Sequence, residues 1–223
     1  MHMFESTVGR KIVMSVTGLA LSAFILVHLL GNFTLYSGSD GINAYSATLH
    51  RFGAVILVFR LVMLTMFSLH VLYGIQLTFE NRAAKPQAYA VRKDLASTFA
   101  GKNMIWTGLL IAAFLIYHLL HFTFQITDPE IAAGRHMDAM GRPDVFMMVI
   151  LSFRKSFVSA GYIFFLAALG LHLSHSIQSS LQTLGLHSET TFPLILRGGT
   201  LVAILIFLGF ISFPLVVLTG LLK

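Results

Sequence analysis

Ten histidines and no cysteine occur in this chain of 223 residues. Six of the ten, His28, His70, His118, His121, His172 and His175, fall inside long apolar stretches that contain no Asp or Glu. Ionisable side chains are costly in hydrocarbon, so at such positions they point to function. Proton relays and divalent-cation pathways usually combine histidine with acids, and carboxylate-bridged di-iron sites in helix bundles need glutamates. Neither pattern is present. The missing cysteines exclude a disulfide framework, thiolate-ligated iron–sulfur clusters and covalently attached c-type haem. Neutral imidazoles without acids or thiols suit b-type haem, whose iron is held between two histidines on facing helices.

The elements that must position these histidines follow from composition. Apolar residues make up 56% of the chain and charged residues 11%, against about 25% charged in a water-soluble domain. Mean hydropathy is +0.81. A spanning helix needs roughly 20 mostly apolar residues. Five segments meet that length: Ile12 to Leu35, Phe52 to Phe79, Met104 to Phe124, Val158 to Leu181 and Gly198 to Leu222. The expected fold is an all-α integral membrane bundle of five transmembrane helices, one domain over residues 1–223, holding two haems between the first four helices. The first segment is too long for a cleaved signal peptide and lacks a small-residue cleavage pattern. Ser37 to Arg51 reads as a short turn-rich loop, Glu80 to Asn103 as a polar and basic one, and Gln182 to Arg197 as another short one. Gln125 to Phe157 is the longest connection. Within it Pro143 is expected to open a short helix running to Phe153, too short to span and apolar enough to lie on the membrane surface.

The net charge of +6 forms no exposed basic stripe, so it argues for membrane topology and not for nucleic acid. A cytoplasmic N-terminus puts eight Lys/Arg inside and six outside, and five of the inside ones lie between Glu80 and Asn103. The C-terminus is then outside. Under this topology depth becomes a test. At 1.5 Å per residue His28 lies about 10 Å below the outer end of its span, and His118 about 9 Å below its own, whereas His121 is only about 5 Å down. His70 and His172 both lie about 14 Å from their inner ends, whereas His175 is about 9 Å away. His28 therefore pairs with His118 and His70 with His172, on levels roughly 10 Å apart.

Small residues beside the ligands, Gly31, Gly74, Gly170 and Ser176, would leave room for a macrocycle, although small residues are common at helix interfaces. His121 and His175 lie one turn beyond His118 and His172. They are open to a role at propionates or quinone, or to plain hydrogen bonding to backbone. Arg60 is the remaining ionisable group at depth, able to pair with an outer-haem propionate or to snorkel to the interface. His2, His50, His136 and His187 lie in the N-terminal segment or loops.

With four ligand positions in view, the chain resembles the di-haem cytochrome b anchor of succinate dehydrogenases and fumarate reductases, the type with one five-helix membrane subunit. The residues that carry the likeness are Lys11-Ile-Val-Met-Ser-Val-Thr-Gly-Leu-Ala-Leu21 through Val27-His28-Leu-Leu-Gly-Asn32, followed by Asn43-Ala-Tyr45. They continue with Leu69-His70-Val-Leu-Tyr-Gly74 leading to Glu80-Asn-Arg-Ala-Ala-Lys-Pro86, and with Tyr117-His118-Leu-Leu-His121. His172-Leu-Ser-His175 through Gln182-Thr-Leu-Gly185 is the most specific block. The family's axial ligands fall on His28 and His118 for the outer haem, and on His70 and His172 for the inner one.

The resemblance implies a bacterial cytoplasmic membrane protein of electron transport. In such complexes a flavoprotein with covalent FAD interconverts succinate and fumarate, and an iron–sulfur subunit docks on the cytoplasmic side. This chain would carry electrons through two b haems between those clusters and menaquinone, with no succinate or fumarate site of its own. Ser15, Gly31, Asn43, Arg60, Gly74, His121 and His175 are then the cofactor-binding or quinone-proximal candidates. Some fumarate reductases of the family carry a membrane glutamate two residues before the fourth ligand, where this chain has Gly170. Rival readings are the cytochrome b of a hydrogenase or formate dehydrogenase, and a non-redox transporter that moves protons on histidines.

Overall fold

A computed structural model describes residues 6–84 and 98–223. Five helices are long and apolar enough to cross a membrane. They are α1 (Thr7–Asn32), α3 (Ala54–Ala83), α5 (Met104–His118), α7 (Ser156–Thr183) and α8 (Phe192–Leu218), with a π-helical turn, Leu119–Thr123, extending α5. Among the described residues there is no strand, only one isolated bridge between Met137 and Pro143. Many large apolar side chains face outward, Val55, Leu61, Leu194 and Leu205 among them. In water that surface would be a liability; against lipid tails it is the expected one, and the helices keep their backbone hydrogen bonds internal.

Helix ends differ from the apolar segments for local reasons. α1 starts before Ile12 because Ser6 caps it, its Oγ accepting from the Gly9 N–H at 3.0 Å. α8 starts before Gly198, with Pro193 in its first turn, where a missing N–H costs nothing.

Two expectations about the connections are corrected. The segment 38–51 is no loop: after a 3-10 turn over Phe33–Ser37 it forms α2 (Gly38–Arg51). Its Ser, Asp and Gly residues read as turn formers, but Asp40 sits in the first turn and Arg51 in the last, where each charge complements the helix dipole. The short helix after Pro143 does form, as α6 (Val145–Arg154), with Asp144 Oδ1 accepting from the Met147 N–H at 3.0 Å. It does not lie on the surface. Phe146, Met148, Val149, Ile150 and Phe153 are buried, and most of them join Leu29, Leu35, Ile42, Tyr162, Phe213 and Val217 in one core. Its apolar residues fill the end of the bundle nearer His28 and His118, which removes the reason for them to face lipid. A further short helix, α4 (Phe99–Lys102), precedes α5.

Cross-helix contacts define an up-and-down bundle. α1 and α3 run antiparallel: Arg10 pairs with Glu80, Thr17 meets His70, and Phe24 meets Phe59. α5 and α7 do the same through Thr107 with His172 and Phe114 with Phe165. α7 is central, packed by α1, α5, α6 and α8. α3 lies at the margin, and Leu77 is its one buried residue. The basic residues Lys85, Arg92 and Lys93 lie outside the described residues.

Candidate functional site

Four successive long helices each bring one histidine to a facing partner. The His28 and His118 ring centres are 5.9 Å apart with planes at 86°, and those of His70 and His172 are 6.3 Å apart at 71°. An ion bound by one nitrogen from each of two facing imidazoles, with metal–nitrogen bonds of about 2 Å, sets ring centres about 6 Å apart. Both pairs have that spacing. Among the described residues no group of three or more His, Cys, Asp or Glu could hold a metal ion. A protein-only tetrahedral zinc site therefore lacks ligands here, whereas a porphyrin brings its own equatorial nitrogens and asks the protein only for two axial ones. None of the four rings is fully buried.

At the inner pair, ring orientation is held by backbone and hydroxyl groups. His70 Nδ1 lies 3.1 Å from the Met14 carbonyl oxygen, which can only accept, so Nδ1 carries the proton and Nε2 its lone pair. His172 Nδ1 lies 3.1 Å from Thr107 Oγ1. The Thr107 hydroxyl donates to the carbonyls of Asn103 and Met104, so it accepts from His172. In both rings Nε2 is left for a ligand, and an anchored Nδ1–H is the usual support of a metal-bound histidine. Two glycines make room: a Cβ on Gly18 would stand 3.0 Å from His70 Cε1, and one on Gly108 would stand 3.4 Å from His172 Cε1.

The outer pair is boxed by aromatic rings. Phe24 stacks on His28 at 5.6 Å and Phe210 lies at 6.0 Å, while Phe114 and Phe122 lie 5.9 and 5.7 Å from His118. Tyr162 Oη lies 3.4 Å from His118 Nδ1. The Asn32 amide nitrogen is 3.3 Å from His28 Nε2, and it donates over a shorter distance, 2.7 Å, to the His28 carbonyl oxygen. Freeing that Nε2 for a ligand costs one weak hydrogen bond.

Helix register measures the spacing of the levels. Gly18, beside His70, lies ten residues from His28 on α1; Gly108, beside His172, lies ten from His118 on α5; and His172 lies ten from Tyr162 on α7. Each count gives about 15 Å. The roughly 10 Å expected from span ends is too short, because the helices run past the apolar segments used to count it.

The remaining candidates separate. His121 is buried, its Nδ1 3.0 Å from Tyr162 Oη, next to the outer pair. His175, one turn beyond His172 on α7, meets α4, with Gly101 and Thr98 against it and Gln178 Nε2 at 3.3 Å from its Nδ1. Ser15 is buried on α1, one turn before Gly18. Asn43 is no free polar group: its amide donates to Ser39, Asp138 and Asp144, and its oxygen accepts from the Phe146 N–H. It ties α2 to the start of α6. Arg142 reinforces that tie through Asp40 and Asp138. Burial would raise the Asp138 carboxyl, but hydrogen bonds from Arg142, Met140 and Asn43 outweigh it and hold it down at about 2. Arg60 is exposed on the N-terminal half of α3 and makes no ion pair among the described residues.

Two of the small residues expected beside a macrocycle have side chains packed against them, and a third has open space. Gly31 accommodates the Tyr45 phenol, which an added Cβ would overlap; Gly170 meets Phe207 of α8; and Gly74 has only Met14 Sδ nearby, at 3.9 Å. Gly18, Gly108, Thr107 and Tyr162 were not singled out from sequence. Gly18 and Thr107 lie in helices rich in small residues, where only rotation about the helix axis tells a ring neighbour from a packing contact. No family model, curated protein or solved structure compared with this chain matches it.

Proposed function

We propose that this chain is a di-haem cytochrome b, the membrane anchor of a succinate:quinone or quinol:fumarate oxidoreductase. The observation that carries the reading is the pair of imidazole pairs, each at the spacing of a bis-histidine ligated ion and set about 15 Å apart along four helices. His28 and His118 would hold the outer haem, and His70 and His172 the inner one. Haem supplies reversible one-electron chemistry at potentials set by axial ligands, burial and hydrogen bonding.

What the chain's own residues contribute is position. Met14, Thr107 and Tyr162 set the imidazole orientations, and Gly18 and Gly108 let two of the rings approach neighbouring helices. Two levels stacked across the bundle make a path for electrons between its two faces. Menaquinone is the membrane-soluble partner of that path near the outer level, with His121 and Arg60 at comparable depth. An iron–sulfur subunit and an FAD-bearing flavoprotein are the partners on the cytoplasmic side, with the N-terminus on that side of a bacterial inner membrane. The specific link to succinate and fumarate rests on the motif resemblance, and co-purification of an FAD-containing subunit tests it.

Haem stoichiometry and redox spectra of the purified chain test the cytochrome reading directly. Two b-type haems per chain are expected, with one lost or altered in each of His28→Ala, His70→Ala, His118→Ala and His172→Ala. A colourless protein, or one haem per chain, would refute it. Loss of a haem in His121→Ala with none in His118→Ala would refute the outer pairing.

A further inference from the structure

We infer that Tyr162 is a positioning residue for the outer histidine pair, the centre of a directed hydrogen-bond chain from His118 through its phenol to His121. The inference rests on the two-haem reading. Tyr162 belongs to α7, yet its hydroxyl reaches α5 and its π-helical extension, 3.4 Å from His118 Nδ1 and 3.0 Å from His121 Nδ1. Tyr162 and His121 are each only 5% exposed, so water does not compete for these bonds. The phenol ring is clamped edge-on by Phe114 and Phe153, both with ring centres at 5.1 Å. It has little freedom to seek another partner.

Proton counting gives the chain its direction. A histidine that binds a metal through Nε2 keeps its proton on Nδ1. His118 Nδ1–H must then donate, and the Tyr162 oxygen is the acceptor within reach. The single phenolic proton is thereby committed to the other neighbour, His121 Nδ1. His121 in turn carries its own proton on Nε2. The π-helical turn begins at Leu119, directly after His118, and turns of this kind inside α-helices occur frequently at functional sites.

The chain has two consequences. A hydrogen-bonded Nδ1–H raises the basicity of a metal-bound imidazole and fixes its ring plane. A more basic ligand favours the oxidised metal, so the phenol lowers the outer potential. In addition, α7 serves both levels, supplying the inner ligand His172 and, about 15 Å away, the support of the outer ligand.

The test uses the full-length chain with haem bound, its two signals assigned by their loss in His28→Ala and His70→Ala. In Tyr162→Phe both haems are expected to remain. The outer haem alone should shift its oxidation equilibrium by threefold to tenfold toward the reduced form, a rise of about 30–60 mV at 59 mV per decade. Its low-spin electron paramagnetic resonance signal should move, and its transfer to an external haem acceptor should quicken by about 10–100-fold. His121→Phe should shift the outer potential in the same sense but less, and the double variant should exceed Tyr162→Phe by less than the sum, as members of one network do. An outer signal unchanged in Tyr162→Phe, or strictly additive shifts, overturns the inference while leaving two haems in the wild-type chain. If Tyr162→Phe loses both haems through misfolding, His121→Phe decides: an unchanged outer potential there overturns it. A wild-type chain without haem overturns the cytochrome reading and this inference with it.

Discussion

The two histidine pairs have nearly equal ring spacing and are built by different means. The inner one is held by groups that belong to the helices themselves: a backbone carbonyl at Met14, a threonine whose own proton is used within its helix, and glycines at positions 18 and 108. The outer one is held by large side chains, with Phe24, Phe114, Phe122, Phe210 and Tyr162 around the rings and the helix α6 packed nearby. A site made of backbone and small residues tolerates almost no added atom. A site made of aromatic side chains can repack, but it depends on whatever holds those side chains and on single hydroxyl or amide groups.

That contrast can be broken, and the largest effect should come from Gly18. Gly18→Val puts branched carbon where even a Cβ lies 3.0 Å from the His70 ring, and loss of the inner haem with an intact outer one is expected in redox spectra. Gly108→Ala, at 3.4 Å from His172, should only shift the inner signal. If both variants disturb the outer level instead, the division between the sites is wrong. Thr107→Val keeps the shape and removes the acceptor of His172 Nδ1–H, so inner-haem affinity should fall about 10–100-fold with the outer site untouched.

Smaller effects are expected from the cap that α2 and α6 form at the His28–His118 end of the bundle. Asn43→Ala removes several hydrogen bonds and strands the buried Phe146 N–H, at a cost of about 2–4 kcal/mol. Thermal unfolding followed separately at the two haem signals should show the outer one lost first. The pH dependence is smaller still. Asp138 is held at about 2, below its ordinary value of 3.8. Its contribution is therefore complete above pH 4 or so and is lost as pH falls through about 2. An outer signal that loosens in that acid window in wild type but not in Asp138→Asn would tie the cap to the outer site.

The pairing of the four histidines was legible in the sequence. His28 with His118 and His70 with His172 follow from depth alone, because an ionisable residue in an apolar helix is rare and its distance from the span end is a count of residues. His121 and His175, each three residues beyond His118 or His172, are not told apart in this way. Only the structure separates them, one bound to Tyr162 and buried, the other turned toward α4. Residues 38–51 read as a loop although they form α2, because Ser, Asp, Gly and Asn favour turns and also favour the first turn of a helix, and the local sequence does not say which applies. α6 was read as apolar and short, which is correct, but its burial depends on the space left above α7 and α8.

Sequence by itself determined five apolar helices, their up-and-down order and the four histidines that meet in pairs. These follow from local quantities: the length of apolar runs and the cost of placing imidazole within them. Tertiary structure alone decided which glycines face the rings, that the levels lie about 15 Å apart, that Asn43 fastens the outer cap, and that Tyr162 stands between His118 and His121. Each of those depends on how far a helix is rotated and slid against its neighbours. That is set by packing over the whole bundle, and no stretch of a single helix records it.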